Sequence, residues 1–168
     1  MQFKQLTLAV CVALGCAQLA YADTTTATAV KKVEVATAAA QLSVTEAPFG
    51  KLPSGEQTTL YTLTNANGVV VKLSNFGGTI TSINIPDRAG KMGDIILGFN
   101  DVDGYLKNKS FFGSVIGRFG NRIGKGQFTL EGKKYQLTLN DGLNHLHGGT
   151  VGFDKTLWEA KPFKTEKS

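Results

Sequence analysis

Residues 127–139 read Gln-Phe-Thr-Leu-Glu-Gly-Lys-Lys-Tyr-Gln-Leu-Thr-Leu. Phe128 and Leu130 alternate with Gln127, Thr129 and Glu131. After the turn at Gly132, Tyr135, Leu137 and Leu139 alternate with Lys134, Gln136 and Thr138. A period of two belongs to a strand with one face on a core and the other in water. Two such runs joined by a short glycine-bearing turn predict a β-hairpin. Upstream, residues 60–64 and 69–73 flank Asn65-Ala66-Asn67-Gly68, a second hairpin signal, because Asn and Gly tolerate the positive φ of a tight turn. Residues 79–85 are β-branched and lead into the turn Pro86-Asp87-Arg88-Ala89-Gly90, and residues 94–99 predict a further apolar strand. No segment past residue 45 carries a sustained helical period with caps. Short strands at close spacing predict an all-β protein, an antiparallel β-sandwich or another large antiparallel fold.

Composition fits that class. A chain of 168 residues holds one domain at most once an export signal is removed. Hydrophobic residues make up 42%, enough for a core, and charged residues only 18%, which excludes a highly charged disordered chain. The 20 glycines follow no collagen-like period and favour tight turns between strands. The formal charge of +5 is scattered, with nothing longer than the pairs Lys31-Lys32 and Lys133-Lys134. A nucleic-acid binder gathers its basic residues in one tract or on one face, so a mildly basic solvated surface is expected, and no nucleic-acid partner.

The N-terminus has the layout of a signal peptide. Lys4 supplies the positive region, residues 6–14 the apolar region, and Ala20-Tyr21-Ala22 a small-x-small cleavage site before Asp23. The apolar run is too short for a good membrane span, so no membrane association is expected after cleavage. Cys16 after Leu14-Gly15 raises a lipid-modified cysteine as the alternative, though Ala13 starts that pattern poorly. Cys11 and Cys16 both lie inside residues 1–22. The mature chain would then have no disulfide and no cysteine nucleophile. Residues 23–43, rich in Ala, Thr and Val, read as a flexible linker. Residues 44–168 read as the β-domain. Residues 157–160, Leu-Trp-Glu-Ala, read as a strand entering a sheet. They predict either a small complete domain or the front part of a longer fold.

Two polar clusters could carry chemistry. Both histidines fall in Asn144-His145-Leu146-His147-Gly148-Gly149. On a strand, positions i and i+2 share a face, so a metal site is conceivable. The bland alternative is a strand-end histidine with a backbone partner. Gly148-Gly149 calls for a sharp turn or a close approach of another group. The other cluster is Gly117-Arg118-Phe119-Gly120-Asn121-Arg122-Ile123. Asn and Arg offer amide and guanidinium donors of the kind a hydroxyl-rich ligand needs. No Gly-Lys-Ser/Thr follows, so this is not a phosphate loop.

Taken in order, Gly117 to Ile123, Gly126-Gln127-Phe128-Thr129-Leu130 with Gly132, Asn144 to Gly149, then Gly152-Phe153-Asp154-Lys155 and Trp158 resemble the successive signatures of the aldose 1-epimerases. Asn75-Phe76-Gly77-Gly78 and Asp94-Ile95-Ile96-Leu97-Gly98-Phe99 are similar to that family's opening strands. The resemblance runs over about residues 45–162. It implies an antiparallel β-sandwich of the galactose-mutarotase type, interconversion of α and β anomers of aldoses such as galactose and glucose, a monosaccharide as ligand, and no metal or organic cofactor. By position it assigns sugar binding to Asn121, Arg122 and His147, and no direct ligand role to Arg118 or His145.

The implied chemistry is acid–base ring opening. A carboxylate takes the anomeric hydroxyl proton while an imidazolium protonates the ring oxygen, each worth roughly 10²–10⁴-fold. In the family, that Glu and that acidic His come from the second half of the fold. Glu131, Glu159 and Glu166 are not at matching positions, so no catalytic residue is expected within this chain. The chain is therefore expected to be the N-terminal part of a periplasmic or extracellular enzyme. The alternative is a noncatalytic carbohydrate-binding β-module. Half a sandwich would leave apolar strand faces uncovered.

Overall fold

The computed structural model describes residues 41–107, 109–163 and 165. The signal-peptide reading of residues 1–22, and all but the end of the linker, lie outside the described residues. Strand β1 spans Ser43–Lys51, β2 Gln57–Thr64, β3 Val70–Ser74, β4 Thr79–Pro86 and β5 Met92–Asp94. They form one antiparallel sheet in sequential order, a simple meander. The turn between β2 and β3 is the Asn-Gly signal realised. Asn65 Oδ1 accepts from the N–H groups of Asn67 and Val69, Gly68 N–H donates to Asn65 O, and Gly68 takes φ 79°. The turn after β4 works the same way through Asp87, whose Oδ1 accepts from Ala89 and Lys91.

Three expectations need correction. Residues 94–99 do not form a strand, because β5 ends at Asp94. The Asp94 side chain takes over where the ladder would continue: Oδ1 accepts from the backbone of both Ile83 and Ile96. Slight desolvation pushes that carboxyl up. Hydrogen bonds from Ser82, Ile83 and Ile96, with the Lys72 charge, outweigh it and hold the group below its usual range. A short helix, α1 (Val102–Lys107), follows where no helix was expected. Asp101 caps it by accepting from Gly104 N–H at 2.9 Å. Finally, residues 157–160 make no strand. Leu157 forms a single antiparallel bridge with Phe76, and Trp158 N–H donates to Asn75 O at 2.8 Å.

Helix α1 matters through Val102, which is 1% exposed and closes a core with Phe49 and Phe76. Phe49 enters that core because the β1–β2 register shifts between Pro48 and Gly50, a bulge that re-aims the chain. Gly50 sits at φ 126°, and a Cβ there would meet Val102 Cγ1 at 2.7 Å. The absent side chain is what lets the helix approach the strand.

The remaining strands are β6 (Arg122–Ile123), β7 (Gln127–Leu130), β8 (Lys133–Gln136) and β9 (His145–Leu146). Hairpin β7–β8 has the expected register, with Phe128 opposite Tyr135. Its alternation does not bury a face, however. Phe128, Leu130 and Leu139 are exposed, because no other described element packs there. Phe128 and Tyr135 instead stack on each other at 4.9 Å and 8°. Ile95, Leu97, Leu143 and Val151 are exposed as well.

The β3–β4 turn carries the rest of the chain. Gly77 N–H donates to Thr156 O, Val115 N–H to Gly77 O, and Ile80 N–H to Gly113 O. Segments 113–117 and 153–158 are thereby fastened to the sheet beside the Phe76 core. Gly50→Ala is expected to destabilise the chain by about 1–3 kcal/mol more than Gly55→Ala. Both positions have positive φ, but Gly55 has open space around it. Urea midpoints of the two variants check this, and equal midpoints would contradict the Val102 contact.

Candidate functional site

Strand β6 pairs antiparallel with β9, Arg122 opposite Leu146 and Ile123 opposite His145. The intervening 20-odd positions leave and return through hairpin β7–β8, so the two polar clusters of the sequence become neighbours. Asn140 tightens the junction with its side chain. Its Nδ2 donates to Leu146 O and its Oδ1 accepts from Leu146 N–H, at 2.9 and 2.8 Å.

At the end of this ladder, Asn121 and His147 hold each other twice. His147 N–H donates to Asn121 O at 3.0 Å, and Asn121 N–H donates to His147 Nδ1 at 2.9 Å. An accepting Nδ1 places the proton of the neutral ring on Nε2. That Nε2–H has no partner among the described residues and can donate to a ligand oxygen. Arg122 is oriented by two acceptors. Its Nε donates to Asp141 Oδ2 at 2.6 Å and its Nη1 to Asn121 Oδ1 at 3.2 Å. The remaining guanidinium protons are available in a fixed plane. Asp141 is presented by the tight turn 141–144, which closes through paired backbone bonds between Asp141 and Asn144.

The structure thus brings Asn121, Arg122 and His147 into one hydrogen-bonded group. It separates the two histidines. His145 is buried at 6% exposure, and its Nδ1–H donates to Thr138 O at 2.8 Å. This is the bland reading of a strand-end histidine. The shared-face expectation fails because β9 ends at Leu146 and His147 takes φ 53°, which breaks the period of two. Gly148 and Gly149 serve close packing. Gly148 lies against Gly117 O, and a Cβ on Gly149 would meet His145 Cε1 at 2.7 Å. Arg118 lies over the Phe153 ring at 5.6 Å, outside the group. No three His, Cys, Asp or Glu side chains among the described residues converge as metal ligands.

Sequence reasoning missed two supporting residues. Asp141 is one, although the Asn140-Asp141-Gly142 turn signal marks where such an acceptor would be displayed. Phe111 had no signal at all. Its ring packs edge-on against His147 at 4.9 Å and 64°.

The described residues thus form an antiparallel β-protein with a group of aimed polar donors at the β6–β9 junction. The family model described as aldose 1-epimerase matches residues 59–168, and the chain belongs to that family. It is 47% identical over 117 residues to bovine galactose mutarotase, covering 70% of this chain and 34% of that protein. It is 38% identical over 107 residues to the aldose 1-epimerase of Escherichia coli K12, covering 64% and 31%. The crystal structure of galactose 1-epimerase from Lactobacillus acidophilus superposes with TM-score 0.63 at 30% identity, covering 75% of this chain and 36% of that one. An aldose epimerase homologue from C. elegans gives 0.61 at 33% identity, covering 64% and 33%. The chain spans about a third of the length of these relatives.

Asp141→Ala tests the support of Arg122. The pair is solvent-accessible, with side chains 54% and 34% exposed, so the substitution is expected to change stability by under about 1 kcal/mol. It should nonetheless remove the hydrogen-exchange protection of the Arg122 Nε–H in NMR spectra. Unchanged protection would show that Asp141 does not hold the guanidinium.

Proposed function

We propose that the protein is an aldose 1-epimerase that interconverts the α and β anomers of aldoses such as galactose and glucose in hexose metabolism. In this reading the present chain supplies the sugar-binding half of the site. The observation that carries the proposal is the group Asn121, Arg122 and His147, held at the β6–β9 junction with donors left over after every internal bond is made. A pyranose presents hydroxyl oxygens in fixed directions. Recognition needs rigidly aimed donors, because an immobilised side chain saves roughly 0.5–1.5 kcal/mol on binding.

Arg122 and His147 offer two kinds of donor. The guanidinium gives a planar pair of N–H groups with fixed positive charge, which favours an oxygen that gains negative charge during ring opening. His147 gives a single Nε2–H. With Nδ1 already accepting from Asn121, the residue binds and polarises; it does not shuttle a proton through both nitrogens. Asn121 acts mainly on its neighbours, through its carbonyl, its amide N–H and its side-chain oxygen. The acid and base that the reaction needs would come from positions other than these three. The export reading of residues 1–22 would place this activity in the periplasm or outside the cell.

The folded 168-residue chain is expected to bind galactose weakly, and to lose binding on Arg122→Ala or His147→Ala. It is also expected to show no mutarotation above background. Titration calorimetry and polarimetry on freshly dissolved α-galactose check both points. A folded chain that binds no sugar would overturn the site assignment. Clear catalysis would overturn the placement of acid and base outside these residues. Binding in a full-length protein that lacks mutarotation would favour the noncatalytic module.

A further inference from the structure

His147 is fixed on its Nδ1 side by Asn121, yet one hydrogen bond leaves a ring free to rock about it. The second support comes from a different part of the chain. Asp154 lies in the 3-10 turn Phe153–Lys155, and its side chain is 8% exposed. Its Oδ2 accepts from Lys155 Nζ at 2.7 Å. Its Oδ1 lies over Gly152, where a Cβ would come within 2.6 Å of it, and has no hydrogen-bond partner among the described residues. A buried carboxylate so placed has Lys155 as its counter-charge, and it holds that cation firmly. Lys155 Nζ in turn sits over the Phe111 ring, 5.4 Å from its centroid. Phe111 is the ring that meets His147 edge-on.

We propose that Lys155 is a positioning residue for sugar binding: anchored by Asp154, it clamps Phe111, and Phe111 sets the tilt of the His147 imidazole. The proposal rests on the assignment of His147 to sugar binding. The physical case is that each link is specific in direction. The ion pair fixes the ammonium, and the ammonium is attracted to the ring face of Phe111. The ring edge or face then limits His147 to one orientation. Together with the Asn121 bond, this defines the Nε2–H vector on two sides. Lys155 is 47% exposed, so its ammonium reaches the Phe111 ring from the solvent side while Asp154 holds it from the buried side.

The test uses Lys155→Met, which keeps the aliphatic stem and removes the charge. In the 168-residue chain the melting temperature is expected to fall, because Asp154 is left buried without its counter-charge, while the variant stays folded. The His147 ring-proton NMR shifts are expected to move as Phe111 loosens. Galactose affinity is expected to fall about threefold, the size of an exposed cation–π contact. Lys155→Arg should restore both the shifts and the affinity. Unchanged His147 shifts in folded Lys155→Met would overturn the proposal. Cooperative unfolding of that variant would also overturn it, by making Lys155 a residue of the fold. Should the His147 signals move while the parent chain binds no galactose, the positioning stands and the sugar-binding assignment falls.

Discussion

The reciprocal pairing of Asn121 with His147 is the constraint on which the site depends. Two hydrogen bonds link residues 26 positions apart. They sit directly beside the β6–β9 pairing of Arg122 with Leu146. Hairpin β7–β8 lies between those two strands in the chain and returns it to its starting edge. With the hairpin formed, the loop closed by the long-range contact is effectively shorter and its closure cost lower. The chemistry of the site follows from the direction of one of those bonds: a donor at Nδ1 makes His147 present its other nitrogen.

Backbone strain gathers in the same place. Phe111, Asn121, Lys125 and His147 all have φ between 53° and 64° without being glycine. Asn and His tolerate that region better than most residues, while Phe and Lys do so at a cost. Such a cost is sustained when surrounding contacts over-determine the conformation. Here they do: Phe111 lies between Lys155 and His147, and Asn121 is bonded through its N–H, its carbonyl and its side-chain oxygen. The glycines nearby play the opposite part. Gly77, Gly148 and Gly152 remove side chains where backbone meets backbone or carboxylate, which allows segments 113–117 and 147–156 to pack on the β3–β4 turn.

What could be read from the sequence was what depends on neighbours in the chain. The Asn65–Gly68 turn, the β4–β5 turn at Asp87 and hairpin β7–β8 rest on alternation and turn chemistry within a dozen residues, and they formed, though the hairpin buries no face. The strand expected at residues 94–99 failed because a side chain, Asp94, satisfied the backbone groups that the next ladder bonds would have used. Helix α1 escaped notice because six residues are too few to show a period, although its cap, Asp101, was in plain view. Within the site, the order of motifs singled out Asn121, Arg122 and His147. Asp141 and Phe111 were not legible as their partners, because distances of 19 and 36 positions are closed by tertiary structure alone. The two histidines show the limit most clearly: a period of two predicts one face for both, and a single positive φ at His147 sends them to separate partners.

His147 is held as an Nδ1 acceptor with its proton on Nε2. Long-range 1H–15N NMR of the chain, with the imidazole neutral, reads this directly. The account predicts an unprotonated Nδ1 and a protonated Nε2, with the Nε2 signal moving when galactose is added. A proton found on Nδ1 would contradict it, since Asn121 could then not donate there and the site would have no fixed donor at His147.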